Sequence, residues 1–284
     1  KGKCFWMRVY EIPEGSKTSK GRAIQNLINI EQDDKVMAFI CTQDLKDEDY
    51  INSHYVIMAT KKGQVKKTSL EQYSRPRTNG INAITIKDGD ELLEAKLTTG
   101  ESQVMLALKS GKAIRFEEAK TRPMGRNASG VRGITLANDK DEVIGMIAVD
   151  DMESNILVVS ENGYGKRSSL DDYRITNRGG KGVKTISITE KTGNLVSIKN
   201  VTDEDDLMII NKSGIAIRME VADLRVMGRA TQGVKLINLK GKDSIAAVAK
   251  VMKDDEEADG LEEITDNQDV SNDGTAIDTN ETDN

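Results

Sequence analysis

A period of about fifty residues runs through this chain, and nothing else restricts its possible folds so strongly. Gly63, Gly111, Gly163 and Gly214 stand 48, 52 and 51 residues apart, and Gly80, Gly130, Gly182 and Gly233 stand 50, 52 and 51 apart. Each first glycine separates two short runs. Apolar stretches at 55–60, 104–108, 156–160 and 207–210 precede it, and a stretch with a basic end follows, such as Val65-Lys66-Lys67 or Ala113-Ile114-Arg115-Phe116. A third apolar run follows each second glycine (81–86, 131–136, 183–188, 234–239), and a polar turn opens a fourth (92–97, 143–149, 195–201, 245–251).

Runs this short, rich in β-branched residues and punctuated by glycine, are strands. Four strands in about fifty residues make one blade of a propeller-like fold. An α-solenoid would need an apolar period near 3.6 residues, which is missing. The predicted fold class is all-β, a propeller-like array of four-stranded blades with five copies visible. The earliest copy is incomplete. Gly2 and Gly21 hold its two glycine positions, 24–30 and 36–40 are its expected third and fourth strands, and no strand precedes Gly2 in these 284 residues. A hairpin lacking one partner has an open edge, so the natural protein is expected to extend upstream.

The formal charge of −6 averages two unlike parts. Residues 253–284 hold thirteen acidic residues and one lysine, a balance of −12, which leaves +6 on residues 1–252. The chain is accordingly divided into a repeat domain, 1–252, and a tail, 253–284, too poor in apolar residues to offset the entropy of ordering and expected to be disordered. A tethered anion beside a cationic body is also expected to compete for any polyanion the body binds.

The body's cations keep to fixed places in the repeat. Four residues after the first glycine stand Lys67, Arg115, Arg167 and Arg218; eleven after it stand Arg122, Arg174 and Arg225, with Arg75 one place off. Four before the second glycine stand Arg126, Arg178 and Arg229, with Arg77 nearby, and two after it stand Arg132, Lys184 and Lys235. Lys66, Lys166 and Lys181 lie beside these positions. Solubility asks for no fixed register, whereas a curved band of cations suits duplex DNA, which carries one negative charge per ~1.7 Å of axis. All eighteen are candidate DNA-backbone contacts. Aromatic residues make up 4% of the chain, which disfavours the stacking platforms that hold single strands. Neutralising Arg126, Arg178 and Arg229 together is expected to weaken binding and leave the fold intact.

Nothing in the sequence points to chemistry. His54 is the only histidine, so neither a histidine-based triad nor a two-histidine metal site can be built. Gly125-Arg126-Asn127-Ala128-Ser129-Gly130 lacks the Lys-Ser/Thr of a phosphate-binding loop. Asp88-Gly89-Asp90-Glu91 fits a turn and lacks the spacing of a calcium loop. Cys4 and Cys41 are too few for a disulfide framework. No run of eighteen apolar residues could span a membrane as a helix.

Several stretches resemble the C-terminal domain of the DNA gyrase A subunit. They are Arg22-Ala23-Ile24-Gln25-Asn26-Leu27, Val65-Lys66-Lys67-Thr68, Met124-Gly125-Arg126-Asn127-Ala128-Ser129-Gly130-Val131-Arg132-Gly133-Ile134, Asn162-Gly163-Tyr164-Gly165-Lys166-Arg167 and Val226-Met227-Gly228-Arg229-Ala230-Thr231-Gln232-Gly233-Val234. The resemblance implies a six-bladed β-pinwheel wrapping duplex DNA, with the five copies here as blades two to six. It implies a non-catalytic part of an ATP-dependent type II topoisomerase, in the bacterial cytoplasm at the chromosome. Its partners would be the gyrase B subunit together with the N-terminal breakage-reunion part of its own polypeptide. No cofactor would bind this stretch, ATP and magnesium being used elsewhere in the enzyme. The family's Gln-Arg-Arg-Gly-Gly-Lys-Gly box belongs to the first blade; Arg178-Gly179-Gly180-Lys181-Gly182 resembles it but falls in the fifth. The A-type subunit of topoisomerase IV shares this architecture and is the alternative within the class, and a protein-binding propeller is the alternative outside it.

Overall fold

The hairpin strands lie where the runs before and after each first glycine predict them. They are β2 (Tyr55–Thr60) with β3 (Gln64–Ser69), β6 (Gln103–Leu108) with β7 (Lys112–Glu117), β10 (Asn155–Ser160) with β11 (Tyr164–Ser169), and β14 (Asp205–Asn211) with β15 (Ala216–Glu220). The computed structural model describes residues 1–252 other than 17, 18, 32 and 242. The acidic segment 253–284, and with it the expectations of its disorder and its competition with DNA, lies outside the described residues. Val104 to Leu108 are buried without alternation, as a strand covered on both faces requires. The turn glycine is needed: Gly63 closes its turn on the Thr60 carbonyl (3.0 Å) at a φ of 81°, a left-handed conformation that strains any residue with a Cβ.

Each fourth strand, β5 (Leu92–Thr98), β9 (Val143–Val149), β13 (Leu195–Val201) or β17 (Ile245–Met252), returns to pair antiparallel with the first strand of its own hairpin. The third strand does something else. The runs predicted at 81–86, 131–136, 183–188 and 234–239 shrink to two residues each, β4 (Ile81–Asn82), β8 (Val131–Arg132), β12 (Val183–Lys184) and β16 (Val234–Lys235). Each pairs with the preceding copy: β4 with β1 (Lys3–Cys4), β8 with β3, β12 with β7 and β16 with β11. The blade expected from one copy is therefore assembled from two, in the sheet orders β5-β2-β3-β8, β9-β6-β7-β12 and β13-β10-β11-β16. The last sheet among the described residues has three strands, β17-β14-β15. After two paired residues the chain leaves the edge to bury Ile84, Ile134 or Ile186 between sheets, which is why the predicted runs are apolar yet mostly not strand.

The cores likewise lie between copies. Ile57, Ala59 and Val65 pack with Leu106, Ile114 and Phe116. Met105 and Ile147 pack with Ile156, Val158 and Ile198, and Leu157 and Val159 with Leu207 and Ile209. The fourth strands stand side by side, β5 on β9, β9 on β13, and β13 on β17. At ~1.5–3 kcal/mol for each fully buried large aliphatic side chain, these shared clusters are what join the repeats.

The first copy departs from expectation. Residues 24–30 hold a one-turn 3-10 helix, Ile24–Asn26, and 36–40 form no strand. In every other copy the fourth strand pairs with the hairpin strand before the first glycine, and this chain contains no such strand before Gly2. A short helix, α1 (Glu48–Ser53), joins the first two copies; Asp47 caps it by accepting from the amides of Asp49 and Tyr50 (3.0 and 3.1 Å). His54 ends that helix, its Nδ1 2.8 Å from the Tyr50 carbonyl.

Candidate nucleic-acid interface

The structure sorts the eighteen candidate cations into two populations. Four residues after the first glycine, Lys67, Arg115 and Arg167 are buried, each reaching the next copy. Nη1 of Arg115 donates to the carbonyls of Leu170 (2.7 Å) and Tyr173 (3.0 Å), which close the one-turn helix Leu170–Asp172. Nε of Arg167 donates to the Leu224 carbonyl, and its Nη1 to Asp203. Lys67 lies 3.5 Å from the Glu118 carbonyl and over the Tyr55 ring. The same position in the first copy is Trp6, whose Nε1 donates to the Tyr73 carbonyl (3.1 Å). These residues are latches on the carbonyl end of the next copy's helical turn, where a donor is favoured. Their assignment as DNA contacts is corrected: burial puts them out of reach of a phosphate. Trp6 escapes an alignment of cations alone; its place four residues after Gly2 is the signal that finds it.

Lys66 and Lys166, one residue earlier, are also buried and also removed from the candidate surface. Nζ of Lys66 donates to the carbonyls of Ala83 (2.5 Å) and Arg126 (2.6 Å), and Nζ of Lys166 to that of Gly228 (2.6 Å). Burial pulls both ammonium groups down to about 8, with a nearby Arg126 adding to the effect at Lys66.

The other thirteen reach solvent. Arg75, Arg77, Arg122, Arg132, Arg174, Lys181, Lys184, Arg218, Arg225 and Lys235 are exposed, and Arg126, Arg178 and Arg229 are half-buried. Two of the half-buried ones, Arg178 and Arg229, have a second task. Arg178 donates to the carbonyls of Lys120 and Arg132 (both 3.1 Å), and Arg229 to those of Asp172 (2.9 Å) and Lys184 (2.7 Å). Each thus clamps the preceding copy and brings its guanidinium against the backbone of another exposed cation. Neutralising this set would therefore also remove the backbone hydrogen bonds of Arg178 and Arg229 between copies. Arg218, with no following copy to latch onto among the described residues, turns to Asp206 (2.7 Å).

Among the described residues, the charged side-chain nitrogens of the other twelve of these thirteen have no carboxylate oxygen within 4.0 Å, although the Arg229 backbone amide donates to Asp172 (3.2 Å), whereas Lys61, Lys109 and Lys250 at other turns and edges pair with Glu91, Glu142 and Asp205. A set of cations kept apart from the available anions, at equal places in successive repeats, is a surface suited to an extended polyanion.

Sheets that pass a strand from each repeat to the one before it define a β-propeller-class repeat domain. The chain belongs to the DNA gyrase C-terminal domain family of β-propellers, whose model matches residues 1–43, 54–99, 104–150, 154–202 and 205–252, one segment per repeat. The DNA gyrase A subunit of Staphylococcus aureus strain MRSA252 is 44% identical over 276 residues, 97% of this chain and 30% of that protein, and the protein of strain NCTC 8325 matches equally. The chain thus spans 30% of the length of these curated relatives. Among solved structures, the C-terminal domain of DNA topoisomerase IV superposes with a TM-score of 0.79 at 23% identity, covering 89% of this chain and 77% of that one. The DNA gyrase A C-terminal domain superposes with a TM-score of 0.75 at 24% identity, covering 88% and 80%. Both share the fold; the sequence match sets the family on the gyrase side.

Proposed function

We propose that this chain binds duplex DNA without sequence preference along its band of unpaired cations and bends it, as the wrapping part of a gyrase A subunit. The observation that carries the reading is the recurrence of Arg122, Arg174 and Arg225, and of Arg132, Lys184 and Lys235, as exposed cations without a carboxylate partner among the described residues. Backbone contacts position without reading bases, and bending a short site costs on the order of 1–6 kcal/mol, which counterion release and added contacts offset. Within a whole gyrase the bent duplex would be presented to the breakage-reunion part. The gyrase B subunit, ATP and magnesium would supply the rest of negative supercoiling, in the bacterial cytoplasm at the chromosome. Fluorescence anisotropy of a labelled duplex over a range of salt tests the binding step. If about eight cations engage phosphates, log affinity falls against log salt with a slope near −7. A flat salt response, or strong preference for one sequence, overturns the reading.

A further inference from the structure

One residue beyond a recurrent exposed arginine of the candidate interface, the chain turns apolar. Pro76 follows Arg75, Pro123 follows Arg122, Ile175 follows Arg174 and Val226 follows Arg225. All four apolar residues are exposed, Ile175 by 47% and Val226 by 51%. A single apolar side chain in water needs no explanation. Four at one place in successive repeats, each beside the same kind of cation, do.

The fold holds these positions firmly. Pro123, Ile175 and Val226 each form a parallel bridge to the buried latch residue of the preceding copy, Lys67, Arg115 or Arg167. The next amide, of Met124, Thr176 or Met227, donates to that latch residue's carbonyl at 2.7–2.9 Å. The side chains are stiff as well: proline is fixed by its ring, and isoleucine and valine are branched at Cβ. Contact through such residues costs little conformational entropy. A second arginine stands beyond each, Arg77 directly after Pro76, and Arg126, Arg178 or Arg229 three residues on. The repeating surface unit is therefore cation, stiff apolar group, cation.

A duplex strand presents the complementary order. Its phosphates recur about every 3.4 Å of axis, and between successive phosphates lies a sugar, which in DNA carries no 2′-hydroxyl. We propose that Pro76, Pro123, Ile175 and Val226 pack against deoxyribose rings lining the minor groove, between phosphates held by the flanking arginines, and so make this surface favour duplex DNA over duplex RNA. The proposal rests on the DNA-wrapping reading above and adds to it the part of the nucleotide that is recognised. Insertion between base pairs would work against wrapping, because a wedge driven in from the minor groove bends the duplex toward its major groove, away from the wedge. Against RNA the same side chains would cover a 2′-hydroxyl without giving it a partner, which is unfavourable.

Fluorescence anisotropy of the whole chain over a range of salt, on a DNA duplex and an RNA duplex of one sequence, tests this. Wild type is expected to bind the DNA more tightly at every salt concentration, and equal affinity for the two overturns the proposal without any variant. Ile175→Thr combined with Val226→Thr keeps the branching at Cβ and replaces apolar surface by hydroxyls. This double variant is expected to bind DNA about tenfold more weakly with an unaltered salt slope, because no phosphate contact is lost, and to bind RNA as wild type does. Exchanging the two residues, Ile175→Val with Val226→Ile, is expected to keep DNA affinity within about twofold of wild type. Undiminished DNA affinity in the threonine variant, a shallower salt slope, an equal loss on RNA, or as large a loss in the exchanged variant overturns the proposal and leaves DNA wrapping standing. A wild type that binds no duplex DNA overturns the wrapping reading itself, and this proposal with it.

Discussion

Arg115 and Arg122 are seven residues apart and meet opposite fates. The first spends its guanidinium on Leu170 and Tyr173 of the next copy, and the second stands in solvent. Replacing Arg115 by Met leaves buried carbonyls unpaired, so the urea midpoint should fall by the equivalent of about 1–3 kcal/mol while the salt slope of DNA binding stays unchanged. Converting Arg122, Arg174 and Arg225 together to Gln should do the reverse. Stability stays within about 0.5 kcal/mol, and the slope becomes shallower by about 0.9 for each phosphate no longer neutralised. Matching effects on both readouts would contradict this division. Lys66 adds a pH dependence. Its folded value of about 8 lies below the ordinary lysine value near 10.4. Below pH 8 the buried charge therefore weighs on the folded state, and between about 8 and 10.4 the unfolded chain binds more protons, so stability rises with pH. The stability of wild type relative to Lys66→Met should grow across that window, as urea titrations at pH 7.5, 9 and 10 would reveal, and a constant difference would refute the assignment.

Hairpins and returning strands were legible because glycine spacing and apolar runs are local signals. β9 and β13 match their predicted ranges, and β2 does too. What the third run pairs with was not legible. Val131 is as apolar beside its own hairpin as beside the preceding one, and only the three-dimensional path decides that it meets Val65. The latches were misassigned for a related reason: a basic residue after a turn looks the same in sequence whether water or a carbonyl of the next repeat receives it. The cations that do reach solvent carry no local mark distinguishing them from Arg115. The strand exchange makes a prediction of its own about glycine. Gly130 has a φ of 89° and sits 2.6 Å, measured from its would-be Cβ, from the Val65 carbonyl. Gly214 has the same φ of 89° and open space among the described residues. Ala at either position incurs left-handed strain of roughly 1–2 kcal/mol. Ala at Gly130 must also push the two copies apart, so Gly130→Ala should unfold at clearly lower urea than Gly214→Ala. Equal midpoints would mean that the junction is looser than the close approach implies.

Because every core is shared by two copies, no repeat owns the packing that stabilises it. Hairpin edges in this arrangement are completed late. Val65 waits for Val131, Ala113 for Val183 and Gly165 for Val234, partners about 70 residues further along the chain. At roughly 5–20 residues per second of synthesis, each hairpin leaves the ribosome with an open edge and keeps it for several seconds. Bare β-edges seed aggregation, and lysine is a common guard against it. Lys66, Lys67, Arg115, Lys166 and Arg167 lie on the strands that wait. The cations that the finished fold hides are thus charged sentries during translation, repelling a neighbouring nascent chain until the next repeat arrives and takes them in.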